Sequence, residues 1–152
     1  MLLISFIIFL IIVLMYAHLY FQTIDGVKNL TNLWCASVTN QDVDGVVKLF
    51  DKKATLVGTV SQIIRKDQDI RLYFNYFCNL PGLKIIDKQD NIQQIDSNTT
   101  INVAYITWMW DGLKDPIVAR MTFVYNNNVL VHLHSSKLPE LNSDLVKRSL
   151  KN

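Results

Sequence analysis

The hydrophobic period of this chain changes at Pro81-Gly82, and that change limits the folds open to it. Upstream, apolar residues recur every three or four positions. Ile24, Val27, Leu30, Trp34 and Val38 make one helical stripe over residues 23–39. Asn40-Gln41-Asp42 breaks it. Asp42 suits the first turn of a second short helix with Val43, Val46, Val47 and Phe50 inward, slightly weakened by Gly45. Two short strands are expected around Gly58, over Ala54–Val60 and Ser61–Arg65. A third helix follows over Lys66–Asn79, with Asp67 as its cap and Ile70, Tyr73, Phe74 and Phe77 on its apolar face. Downstream the period is two. Leu83–Ile95 reads as a strand interrupted around Lys88–Asn91. Thr100–Trp110, Ile117–Tyr125 and Val129–Ser135 complete the set, with turns at Asp111-Gly112 and at the Asn126–Asn128 run. Helices followed by a meander of antiparallel strands make an α+β domain.

Ahead of the domain stands MLLISFIIFLIIVLMYAHLYF, with no Asp, Glu, Lys or Arg. As a helix it would rise about 31 Å, the depth of a bilayer's hydrocarbon core. Tyr16, Tyr20 and Phe21 sit where an aromatic belt would lie. The expectation is a transmembrane anchor over 1–21, giving single-pass membrane localisation, then a short linker or start of the first helix over 22–28. A cleaved signal peptide is the rival, and would make the domain secreted. Against it stand the length of the run and the poor cleavage site Ala17-His18-Leu19. Only Asp25 and Lys28 flank the run, so the positive-inside rule has little to weigh. The sequons at Asn29 and Asn98 matter only if the domain is translocated.

About 130 residues remain, enough for one core. The net charge is +2 and Lys and Arg are scattered, so no basic stripe points to nucleic acid. Cys35 and Cys78 are too few for a disulfide framework and lack metal-ligand spacing, so they read as small buried hydrophobes. The tail from Leu138 carries Pro139 and only a weak helical pattern.

The order of three helices then a curved sheet resembles the nuclear-transport-factor-2-like fold, a cone with an internal pocket. Local text is more specific: Leu33-Trp34-Cys35-Ala36-Ser37, the Asn40–Asp42 break, Leu56-Val57-Gly58-Thr59-Val60-Ser61 and Pro81-Gly82. To these add Ala119-Arg120-Met121-Thr122-Phe123-Val124-Tyr125 and His132-Leu133-His134-Ser135-Ser136-Lys137-Leu138-Pro139. Together they resemble the association domain of calcium/calmodulin-dependent protein kinase II and its free-standing, SnoaL-like bacterial relatives, over residues 29–139. The resemblance implies a homodimer or larger homo-oligomer, here with no kinase region attached. Positions matching arginines in the kinase hub's cone are Thr107, Phe123 and Ser135, so a ligand carboxylate would lose those partners. Residues 140–152 form a C-terminal tail beyond it.

Candidate chemistry is sparse. His132 and His134 share a strand face and could act as acid and base, or could be structural. No third ligand joins them, so no metal is expected, and no cofactor either. Arg120, mid-strand among apolar residues, could bind an anionic ligand or bridge to Asp111 or a second subunit. Asp111 is a candidate base or an ordinary turn residue. Tyr105, Trp108, Phe123 and Tyr125 could line a pocket for a small apolar ligand or serve as core and dimer-face aromatics. No nucleophile triad or phosphate loop is present. The reading is therefore a membrane-anchored oligomerisation or ligand-binding module. The alternative is a SnoaL-like cyclase, isomerase or dehydratase using the cone.

Overall fold

The computed structural model describes residues 2–59 and 63–137. Helix α1 runs Leu2–Thr39, α2 Val43–Lys48 and α3 Gln68–Phe77. The strands are β1 Phe50–Val57, β2 Ile64–Arg65, β3 Lys84–Gln94, β4 Thr99–Met109, β5 Ile117–Asn126 and β6 Val129–Lys137. They form one six-stranded sheet in the order β2-β1-β6-β5-β4-β3. Neighbours are antiparallel except β1 and β6, which run parallel. The α+β class and the three-helix, mainly antiparallel plan expected from sequence are therefore observed.

The transmembrane expectation is corrected. Among the described residues, no helix is long and apolar enough to cross a membrane. The apolar stretch whose side chains are described, residues 4–17 of α1, is exposed along its length. The anchor over 1–21 and the single-pass localisation fall with that expectation, and the membrane as a partner is left without support.

Within the domain, α1 buries Val27, Thr31, Trp34, Cys35 and Val38, a stripe at helical spacing, against the sheet. Gln41, at φ 60°, turns the chain out of α1. Asp42 then caps α2, its Oδ1 accepting the Gly45 N–H at 2.8 Å. Gly45 is there for space. A Cβ would stand 2.2 Å from Asp42 Oδ2 and 2.8 Å from Ser37 Oγ. Phe50, expected inward on that helix, instead begins β1.

Two details of the sequence reading change. Asp67 stands at the N-cap position of α3 but at φ 46°, and its side chain makes no capping bond. Strand β3 is continuous through Lys88–Asn91. Its polar residues are accommodated because Lys88 and Asp90 pair with each other and Asp90 Oδ1 accepts from Asn102 Nδ2 at 2.9 Å. The β1–β2 connection is only partly described, since 60–62 lie outside the described residues, as does the tail from 138.

Irregular pairing at Ile85/Asp87, at Val124/Tyr125 and between Phe50 and Thr55 interrupts the ladders, and such bulges bend a sheet. Strict alternation on β4 buries Thr100, Asn102, Ala104, Ile106 and Trp108 on the helix-covered face. On β5 the inner set is Ala119, Met121, Phe123 and Tyr125. The opposite face carries Ile101, Val103, Tyr105, Val118, Arg120, Thr122 and Val124, with His132 and His134 opposite Val124 and Thr122.

Candidate ligand cavity

Between the inner sheet face, α1 and α3 lies a cavity of about 290 Å³. Aromatic rings make most of its wall. Trp34 stands edge-on to Phe74 and to Trp108, with centroids 5.9 and 6.2 Å away, and Phe77 meets Trp108 edge-on at 5.2 Å. Offset and edge-to-face contacts of this kind hold rings rigidly. All three tryptophans of the chain, Trp34, Trp108 and Trp110, line it.

One side is polar. The hydroxyls of Thr59 and Ser135 lie 2.6 Å apart. Tyr73, stacked on Phe77, contacts the backbone and side chain of Thr59. Burial pushes the Tyr73 phenol above its ordinary value, and the bonds to Thr59 offset part of that. Arg65 covers the Tyr73 ring with its guanidinium 4.9 Å from the centroid. At the rim, exposed Lys137 continues the inward parity of Leu133 and Ser135 on β6.

The candidates from sequence separate. Trp108, 3% exposed, lines the cavity. Phe123 and Tyr125 point the same way but are core residues: Phe123 packs on Trp34 at 5.2 Å, and the Tyr125 hydroxyl bonds Thr31 Oγ1 at 3.0 Å. Burial raises the Tyr125 phenol strongly. Tyr105, 41% exposed, and Arg120 are cross-strand partners on the opposite face. His132 and His134, both on β6, stand on that face too. His132 Nδ1 meets Thr55 Oγ1 at 2.6 Å, and burial, then His134, lowers its pKa. Asp111 is exposed in the turn after β4, its carboxylate against Gly82, whose Cβ would fall 2.3 Å from Asp111 Oδ1. Asn29 is exposed on α1 and Asn98 is exposed in the β3–β4 turn. No group of three metal-ligating side chains occurs among the described residues. The sequence reading missed Thr59, Tyr73, Trp110, Ser135 and Lys137 as cavity residues. They come from four separate elements or loops, and only the inward parity of β6 signals any of them.

A bent sheet with helices closing an aromatic cavity defines a class of small α+β domains with an internal hollow. No family model matches the chain, and no curated protein gives a significant match. Solved structures do. An association domain assigned to calcium/calmodulin-dependent protein kinase II, from Xanthomonas campestris, superposes with TM-score 0.62 at 27% identity, covering 76% of this chain and 87% of that one. A nuclear-transport-factor-2-like protein of unknown function from Pseudomonas putida gives 0.63 at 10% identity, covering 80% and 91%. A protein assigned as an aromatic ring hydroxylase, from Novosphingobium aromaticivorans, gives 0.63 at 17%, covering 76% and 88%. The fold is that of the nuclear-transport-factor-2-like superfamily, as the sequence resemblance implies.

Proposed function

We propose that this chain is a binding and assembly module: its cavity holds a small, largely apolar ligand, and the outer sheet face joins two copies. The observation that carries the reading is the placement of the titratable candidates. Asp111, His132 and His134 all stand outside the cavity, whose described walls are aromatic, aliphatic or hydroxyl-bearing apart from Lys137. A hydrolase, isomerase or dehydratase needs a base within hydrogen-bond reach of its substrate. Support for assembly is the mixed apolar outer face, where Ile101, Val103, Val118 and Val124 are only half-buried and Tyr105 is exposed. The name of the Xanthomonas relative is in keeping with it.

Sedimentation equilibrium of the full chain tests assembly, in a mild non-ionic detergent to cover exposed residues 4–17. The wild type is expected as a dimer. Val103→Arg, which sets a second cation beside Arg120 on that face, is expected to shift it to monomer. A wild-type monomer at high concentration, or a variant that dimerises equally well, would sink the assembly reading.

A further inference from the structure

The cavity's single polar side and its rim cation select a ligand chemistry. We infer that the cavity takes a flat aromatic acid, its ring between the side chains of Trp108, Phe77 and Tyr73 and its anionic group at Lys137. This rests on the ligand-binding half of the proposed function.

Three observations lead there. The first is shape: edge-on and stacked rings wall a space of about 290 Å³, close to the lower end of the roughly 300–1,000 Å³ typical of small-molecule sites. A planar body meets such walls with more contact than a branched one. The second is charge. Lys137 is the one charged side chain among the described lining residues, and it makes no ion pair with any described residue. Asp111, the acid in the turn after Trp110, is not among the lining residues. An ammonium at the mouth of an apolar hollow attracts an anion more strongly than one in open water, because the low-dielectric walls focus its field. The third is the order of polar groups along β6. Ser135 and Lys137 are two apart on the inward face, with Ser135 paired to Thr59. A carboxylate at Lys137 would therefore be about 7 Å, two strand residues, from hydroxyls that can receive a second polar group deeper in.

Calorimetric titration of the 152-residue chain with 2-naphthoate, and with its neutral isostere 2-naphthamide, tests the inference. Tryptophan emission is followed in parallel, since all three indoles line the cavity. The expected result is one 2-naphthoate per chain with a change in tryptophan emission, bound more tightly than the amide. Lys137→Met is expected to weaken 2-naphthoate about fivefold, the scale of a partly exposed ion pair, and to leave the amide unchanged. The unchanged amide shows that the variant is folded. Equal affinity for acid and amide overturns the acid assignment while leaving the binding reading in place. So does a Lys137→Met variant that binds the acid as before. Heat without a tryptophan response puts the probe outside the cavity and overturns the inference. Binding of neither probe by a protein that still dimerises removes the ligand and keeps the assembly.

Discussion

The ring of Tyr73 lies so close over Gly58 that a Cβ there would stand 2.5 Å from Cε2 and 2.9 Å from the phenol oxygen. Gly58 follows β1 directly and is buried. Its missing side chain lets the Tyr73 ring cross the end of the strand and reach Thr59. That makes one glycine responsible for the polar side of the cavity.

Gly58→Ala should therefore destabilise the fold. Alanine ordinarily gains about 0.4–1 kcal/mol by stiffening the unfolded chain. Here the ring must move, and overpacking of this kind costs about 1–3 kcal/mol. The expected net effect is a lower midpoint in thermal denaturation. Pairing Gly58→Ala with Tyr73→Leu should recover part of the loss, because the clash and its partner are removed together. Equal midpoints for Gly58→Ala and wild type would show that the ring has room to shift.

Both thiols should be silent in the folded protein. Cys35 and Cys78 are buried and free. Burial pushes Cys35 up to about 12, with Lys88 lowering it and Asp90 raising it by smaller amounts. Cys78 is pushed up to about 11, again chiefly by burial. Thiolate, not thiol, attacks a disulfide reagent. Reaction with an aromatic disulfide at pH 8 should thus be slow in buffer and rapid for two thiols in denaturant. Fast native labelling of either cysteine would place that thiol at an opening of the core.

Acid should weaken the protein through His132. Its imidazole is held below the ordinary 6.5 by burial first and by His134 second. The folded chain therefore binds this proton less readily than the unfolded chain. Between the lowered value and 6.5 the unfolded state holds more protons, so stability rises with pH across that window. The contribution is complete above pH 6.5 and is lost as pH falls below it. Protonation also ends the ability of Nδ1 to accept from Thr55. His134 stands two residues along on the same face and is the second cause of that lowering. Denaturation midpoints between pH 7.5 and 5 should fall, and His132→Gln should flatten the dependence. Dimer, if formed through this face, should dissociate over the same interval.

The sequence made the helices and turns readable because each carries a local physical signal. Val27, Trp34 and Val38 repeat at helical spacing and are all buried. The asparagine run turns with Asn127 and Asn128 at φ 49° and 62°, the left-handed region asparagine tolerates. Strand β3 misled because its inward residues, Lys88 and Asp90, are charged, and only their pairing with each other and with Asn102 makes that tolerable. Alternation also held an answer about the site. Tyr105 and Arg120 have the opposite parity to Trp108 and Phe123, which puts them on the other face. The cavity itself had no local signature. Trp34, Thr59, Tyr73, Trp108 and Lys137 meet only through the order of strands in the sheet, and chain spacing does not encode that order. The first 21 residues illustrate the converse: composition alone suggested a span, and among the described residues no helix is long and apolar enough to be one.

The polar group with most at stake in the core is Asn102. Its Nδ2 donates to Thr31 Oγ1 at 3.1 Å and to Asp90 Oδ1 at 2.9 Å. Thr31 Oγ1 in turn donates to the Val27 carbonyl at 3.0 Å and shares a hydrogen bond with Tyr125. One amide thus ties α1 to β3, β4 and β5 inside an otherwise apolar layer. Asn102→Leu keeps the volume and removes the donor. Thr31 and Asp90 then lose a partner in a buried place, at a cost of about 1–3 kcal/mol. Asn102→Asp should be worse at pH 7, because it sets a second carboxylate against Asp90 where desolvation and like charge act together. Its deficit should shrink as pH falls and one of the two carboxyls takes a proton, the reverse of the trend expected from His132. Chemical denaturation of both variants at pH 7 and pH 5 measures this. Loss of less than the experimental error in Asn102→Leu would mean that the network is replaceable by packing.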